Sequence, residues 1–219
     1  MITISAFKWV PPFAQGLVRD HRVRWALEEA GLPYDTRLID QQTQDAPDYR
    51  YRQPFGQVPY FEEGGLVMFE SGAILLHIAE RSEILLPKDA DKRARAITWL
   101  LAALNSIEIH VQQLAQIDLF YAAEEWAKLR RPGVEKAARK RLTDLAAWLE
   151  DREYLEDRFT VGDLMMTTVL RNLRQTDILE SFPTLHAYKT RCEARPAFQK
   201  ALHDQMAVFE KHAPPEKKA

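Results

Sequence analysis

Cysteine is almost absent from this chain: among 219 residues, Cys192 is the only thiol. An internal disulfide is therefore excluded, and so is a Cys-based zinc site. The six histidines show neither HxxxH nor HExxH spacing, which argues against a metal enzyme, and no metal ligand is assigned. Glycine is scarce too, 8 residues in all. With no GxGxxG and no GxxxxGK[ST], phosphate-cradling loops drop out. Long apolar runs are missing. The longest stretch without Asp, Glu, Lys or Arg is the twelve residues Ala96–Ile107, against roughly 18–20 for a membrane span. No charged segment followed by an apolar run marks a signal peptide. An excess of one charge sign is missing as well. Thirty basic and 32 acidic residues give a net charge of -2, so nothing drives the chain toward nucleic acid or an anionic membrane. The halves are balanced: 8 basic and 11 acidic residues through Ser82, then 22 and 21. The expectation is a soluble, cytoplasmic protein with no nucleic-acid or membrane partner.

What is present is a sizeable core: apolar residues make up 46% of the chain, which excludes wholesale disorder. The first 82 residues alternate in type. Ile2–Phe7 reads as a buried strand, followed by a loop marked by Pro11, Pro12 and Gly16. Leu17–Ala30 has helical periodicity, with Val23, Ala26, Leu27 and Ala30 on one face, and stops at Gly31 and Pro33. Tyr34–Ile39 reads as a second strand and Pro47–Arg52 as a short helix. Val58–Phe61 and Leu66–Phe69 have hairpin spacing around Gly64 and Gly65. A helix follows from Ser71 to about Arg81. The β-α-β then β-β-α order implies a mixed sheet with helices packed on it.

Ser82–Asp91 reads as a linker, and beyond it the pattern is helical only. One long helix spans Ile97–Leu114 and a second spans Val134–Glu150. A third covers Thr160–Leu173, and its Val161–Leu170 stretch is apolar nearly all round, as in a central bundle helix. Phe198, Ala201, Leu202, Met206 and Phe209 mark the last. The tail Ala213–Ala219 reads as frayed. The predicted domains are 1–82, a linker 83–91, and an all-helical 92–219.

Three local features carry more than fold. In Pro54–Pro59, a cis Val58–Pro59 bond would leave the Val58 N–H and C=O unpaired, ready for a peptide-like ligand to add as a strand does. An ordinary trans proline is the commoner case, since about 5–6% of X–Pro bonds are cis. Glu70-Ser71 opens a helix. There Ser71 and the helix N–H groups suit a carboxylate and Glu70 suits an ammonium, together an α-amino-acid head group. A plain Ser cap explains the same pair. Thr160–Asp163 is a capping-box variant, structural in either case.

In this order and spacing, these segments resemble the cytosolic glutathione transferase family across essentially the whole chain. Arg22–Tyr34 is similar to the family's first helix and its exit, and Pro54–Pro59 to its cis-proline loop. Phe69–Ile74 matches its Glu/Asp-Ser helix start, Phe159–Asp163 its helical-domain capping box, and Arg195–Phe198 its late segment. The resemblance implies an α+β thioredoxin-like N-terminal domain followed by an all-α helical-bundle C-terminal domain. It also implies glutathione as co-substrate, a small electrophile as acceptor, and a homodimer. Val58 and Pro59 would meet the cysteinyl part of glutathione, Glu70 and Ser71 the γ-glutamyl head, and Gln57 the glycyl carboxylate.

One part of the family pattern is missing. The Tyr, Ser or Cys that activates the glutathione sulfur has no counterpart: Phe7 stands roughly at the tyrosine place and Val18 roughly at the serine place, while Ser5 lies inside the strand. Lowering a thiol pKa from about 8.5 to about 7 takes about 2 kcal/mol, within reach of a helix N-terminus plus one hydrogen bond to charge. Arg19 is the first candidate for that role. Gln15 and a main-chain N–H in Gly16–Val18 are the others. The alternatives are glutathione-dependent disulfide or peroxide reduction, and a non-catalytic adaptor that binds a protein partner. Trp99, Tyr121 and Trp126 are candidates for an acceptor pocket, and Lys8 and Trp9 for a cleft border. Cys192 reads as a partly buried, non-nucleophilic thiol.

Overall fold

A computed structural model describes residues 1–215; the last four residues of the expected frayed tail lie outside the described residues. The chain opens with β1 (Ile2–Phe7), α1 (Asp20–Ala30), β2 (Tyr34–Ile39), α2 (Pro47–Arg52), β3 (Phe61–Glu63), β4 (Leu66–Met68) and α3 (Ser71–Ala79). The four strands form one mixed sheet in the order β2-β1-β3-β4, with β1 parallel to β2 and antiparallel to β3. Helix α1 is the crossover that the parallel pair requires. Ile2, Ile4 and Ala6 alternate along β1 and are all buried, as period-2 side chains on one sheet face must be. Helix α1 starts three residues later than its apolar period suggests. Gly16, at φ 77, still turns the chain there, and short turn hydrogen bonds occupy the stretch before Asp20. The β3–β4 turn holds Gly64 and Gly65 at φ 56 and 89, the positive values that a two-residue hairpin turn needs.

The remainder is helical: α4 (Ala90–Ala102), a π-helical segment (Ala103–Glu108), α5 (Ile109–Phe120), α6 (Glu125–Trp148), α7 (Val161–Leu170), α8 (Pro183–Glu193) and α9 (Pro196–Lys211). Every residue of α7 is buried, as its all-round apolar pattern requires. Thr160 and Asp163 close the capping box in both directions. Asp163 does more than cap, accepting bonds from the Leu155 N–H at 2.8 Å and the Tyr188 hydroxyl at 3.0 Å.

The chain divides into two compact units, residues 1–82 with 196–219, and residues 83–195. The domain expected at 92–219 differs here at its end, because α9 packs on α1. Phe198 meets Trp25 edge-on at 4.9 Å, and Gln205 Nε2 donates to the buried Asp20 carboxylate at 2.7 Å. The segment expected as a linker is also built in. Leu85 and Leu86 are buried, and the Leu85 carbonyl accepts the Val161 N–H at 2.8 Å.

Candidate functional site

The 53–60 loop is held by the helix before it. Arg50 donates to the Pro54 carbonyl at 3.0 Å, and the Gln53 side chain accepts the Phe55 N–H at 2.8 Å. Gly56 sits at φ 64, and a Cβ there would lie 2.6 Å from the Arg50 guanidinium, so only glycine lets that clamp close. A buried hydroxyl relay fixes the loop's far end. The Tyr60 N–H donates to Ser5 Oγ at 2.8 Å, Ser5 and Tyr49 hydroxyls are 3.0 Å apart, and the Tyr49 hydroxyl donates to the Gln57 carbonyl at 2.6 Å. Burial pushes the Tyr49 phenol up to about 12, so it stays a donor at neutral pH.

The Val58–Pro59 bond is cis. The Val58 side chain is buried in a cluster with Ile39, Tyr49 and Tyr60, with Phe7 and Val18 packed against it. Its main chain is not used in this way. The β1–β3 ladder runs through Ile4–Phe61, with Ser5 N–H to Tyr60 carbonyl as a last bond at 3.0 Å. Among the described residues, neither the Val58 N–H nor its C=O has a hydrogen-bond partner. Residue 58 is thus anchored by its side chain and offers a donor and an acceptor, as an unpaired sheet edge does.

The second half of the site is the start of α3. The sequence allows Ser71 as an N-cap. The structure puts Glu70 at the cap and Ser71 one residue inside, and no side chain caps the helix. Glu70 holds φ 67, a conformation costly for a residue with a Cβ and frequent at ligand clamps. Its side chain is exposed, while Ser71 is buried. Behind Ser71 stands a cation: Arg22 Nη1 donates to Ser71 Oγ at 3.3 Å, and Arg22 is itself buried. An uncapped helix N-terminus, a hydroxyl and a buried guanidinium together favour a carboxylate. In the sequence, Arg22 stands out only as part of the first-helix segment, and Tyr49 only as part of the short helix. Neither residue type signals a role until the fold brings it to Ser71 or Gln57.

The remaining candidates fall as follows. Gln57 is exposed and meets the relay only through its carbonyl. Gln15 is half-buried, with Nε2 donating to the Val10 carbonyl at 3.0 Å. Arg19 is the residue before α1 and is half-buried. Ser5 is fully buried and committed to Tyr60 and Tyr49. Phe7 and Val18 are the side chains that flank the Val58 cluster, and neither carries a hydroxyl. Among the described residues the Val18 N–H has no hydrogen-bond partner, one of the main-chain donors expected in Gly16–Val18. Lys8 is exposed and pairs with Asp40 at 3.3 Å.

In the second unit, Trp99 donates to Glu156 at 2.9 Å and packs on Trp148, a structural setting. Tyr121 and Trp126 are exposed, with ring centroids 5.1 Å apart. Cys192 is fully buried, and burial pushes its thiol up to about 12. It is no nucleophile, since the thiolate is the reactive form. Among the described residues no His, Cys, Asp and Glu cluster has the makings of a metal site, and no helix is long and apolar enough to cross a membrane.

A thioredoxin-like unit with an unpaired Val58 main chain, followed by a helical unit, defines the class. The sequence comparisons then give the family. Residues 14–80 match the model for the glutathione S-transferase N-terminal domain, and residues 123–196 match that for the C-terminal domain. A probable glutathione S-transferase of rice, Oryza sativa subsp. japonica, is 32% identical over 189 residues, covering 80% of this chain and 86% of the rice protein. A disulfide-bond oxidoreductase of Escherichia coli K12 is 26% identical over 198 residues, covering 83% and 89%. A glutathione transferase of Burkholderia graminis, solved with two glutathione molecules per subunit, superposes with a TM-score of 0.80 at 25% identity, covering 99% and 89%. The chain belongs to the cytosolic glutathione S-transferase family.

Proposed function

We propose that this protein binds glutathione on its first unit and directs the thiolate at a small electrophile. The observation that carries this reading is the unpaired Val58 N–H and C=O on a locked loop, in the same unit as the uncapped α3 N-terminus. The cysteinyl residue of glutathione pairs with Val58 as an added strand, next to Pro59. The γ-glutamyl carboxylate sits on Ser71, the α3 N–H groups and the Arg22 charge, and Glu70 takes its ammonium. Gln57 reaches the glycyl end. That places the sulfur near Phe7 and Val18, where it has no hydroxyl to donate to it. The Val18 N–H, with Arg19 and Gln15 near the start of α1, supplies the preference for thiolate. The thiolate then forms its bond to the electrophilic carbon, and the leaving group departs with the bonding pair.

Calorimetric titration with reduced glutathione tests the binding half. Ser71→Ala is expected to weaken affinity at least several-fold with the fold intact; unchanged affinity would overturn the head-group assignment. For Arg19→Ala, turnover is expected to fall while glutathione affinity holds, a result read from kcat against Kd. Undiminished turnover would remove Arg19 from the mechanism and leave the main-chain donor.

A second reading is reduction of disulfides or peroxides by the same bound thiolate. It needs thiolate activation but no large acceptor pocket, and the similarity to the E. coli oxidoreductase favours it. A third reading is a non-catalytic adaptor that keeps the fold: the absence of a hydroxyl at Phe7 and Val18 favours it, and the retained Val58-Pro59 and Glu70-Ser71 argue against complete loss of the glutathione site. We also place the protein in the cytoplasm as a homodimer. Support for the dimer comes from an apolar face on the first unit, where Tyr51 and Phe55 are 88% and 63% exposed and Phe55 meets Phe69 at 6.0 Å.

A further inference from the structure

The hydroxyl relay under the 53–60 loop runs in one direction. Tyr49 has a single hydroxyl proton, and a carbonyl can only accept. The 2.6 Å bond to the Gln57 carbonyl therefore uses that proton. Ser5 Oγ stands 3.0 Å from the same hydroxyl. With the Tyr49 proton committed, Ser5 is the donor of that pair. Ser5 Oγ in turn accepts the Tyr60 N–H at 2.8 Å. All three bonds thus point the same way, from the Tyr60 N–H through Ser5 and Tyr49 to the Gln57 carbonyl. The relay starts on one side of Val58-Pro59 and ends on the other.

The Gln57 carbonyl and the Val58 N–H belong to one peptide group, which is trans. In a trans peptide the two bonds share a plane and point in opposite directions. Holding the carbonyl toward the buried Tyr49 hydroxyl turns the N–H the other way. That N–H is the one with no partner among the described residues. Bonds in such a chain also polarise one another, strengthening each by about 10–30%. A carbonyl that accepts a hydrogen bond draws charge from its amide nitrogen, and the N–H becomes a better donor. Tyr49 and Ser5 are both buried, so water does not compete for the relay. The Tyr49 ring packs with Tyr60 at a centroid distance of 5.6 Å, a place that a phenylalanine ring would fill as well. Only the hydroxyl reaches Gln57.

We propose that Tyr49, backed by Ser5, is a positioning residue for glutathione: it sets the direction and the donor strength of the Val58 N–H that receives the cysteinyl carbonyl. The inference rests on the glutathione reading and adds to it the group that prepares one of the two main-chain contacts. Both hydroxyls act through the Gln57–Val58 peptide, and neither is a catalytic residue.

The test is calorimetric titration of the full chain with three ligands. Glutathione has the cysteinyl carbonyl and the glycine. γ-Glutamylcysteine has the acceptor but no glycine. γ-Glutamylcysteamine keeps the head group, the amide N–H and the thiol, and has no cysteinyl carbonyl. Tyr49→Phe is expected to weaken the first two about fivefold, the scale of one neutral hydrogen bond, and the third by less than about twofold. Ser5→Ala leaves the Tyr49–Gln57 bond in place, so its selective loss is expected to be smaller. The double variant is expected to lose no more than Tyr49→Phe alone, as members of one network do. Equal losses for all three ligands would make Tyr49 a mere prop for the loop and overturn the proposal. Undiminished glutathione affinity would overturn it too, as would a loss that spares γ-glutamylcysteine. Losses that add in the double variant would contradict the relay. A parent protein that binds none of the three contradicts the glutathione reading itself, and the proposal with it. A parent that binds them leaves that reading standing whichever way the variants fall.

Discussion

Asp163→Ala is expected to lower the unfolding free energy by roughly 3 kcal/mol or more, since each buried donor left unsatisfied costs about 1–3 kcal/mol. Four donors lose their acceptor at once: the Leu155 N–H, the Thr160 N–H and hydroxyl, and the Tyr188 hydroxyl. All sit around α7, the helix with no exposed residue, so little water reaches them. The pH dependence gives a second signature. Burial lifts the Asp163 carboxyl to about 6, against the hydrogen bonds it accepts. Its unfolded value is about 3.9. Between those values the folded state keeps a proton that the unfolded state releases. This group's contribution is therefore greatest below about pH 4 and declines as pH rises through about 6. The deficit of the alanine variant relative to the parent is expected to be larger at pH 5 than at pH 7. Urea unfolding at both values checks this. A loss below about 1 kcal/mol, the worth of an ordinary cap, would show that Asp163 does no more than cap α7.

Arg22→Met is expected to weaken glutathione binding about tenfold or more, about 1.4 kcal/mol. Methionine keeps much of the apolar stem and removes the charge. The guanidinium touches Ser71 Oγ from within the domain, so its field acts on whatever anion that helix N-terminus holds. Cysteinylglycine, which lacks the γ-glutamyl carboxylate, separates this from general damage. Its weaker binding is expected to change little in the variant. An equal loss for both ligands would mean that Arg22 shapes the loop or the core and does not favour the head group.

The predicted architecture was legible wherever local pattern and long-range packing agree. β1, β2 and α2 follow the residues that alternation and Pro47 mark. The hairpin does not, because Val58–Phe61 is apolar throughout while Pro59 has no N–H to give a ladder, so β3 begins only at Phe61. The helix read from Val134 starts at Glu125 and runs through Pro132. There the buried Ala127, Val134 and Ala138 outweigh the local cost of a proline. Helix α8 leaves no clear mark in the sequence, since only Leu185, Tyr188 and Cys192 turn inward, too thin a stripe among polar neighbours. Both halves of the candidate site stand in the sequence as Val58-Pro59 and Glu70-Ser71. Their supports do not. Arg22, Arg24 and Asp20 look like the polar face of α1, and their burial follows from α3 and α9 covering that helix.

The central claim is that the unpaired main chain of Val58 receives glutathione. Its most direct test is a titration of the isotopically labelled protein with reduced glutathione, observing the Val58 and Ser71 amides. The account predicts saturable downfield shifts of both, at a common affinity in the millimolar range or tighter, and loss of the Ser71 response with cysteinylglycine. Binding that leaves the Val58 amide unmoved, or no binding at cellular glutathione concentrations, would contradict it.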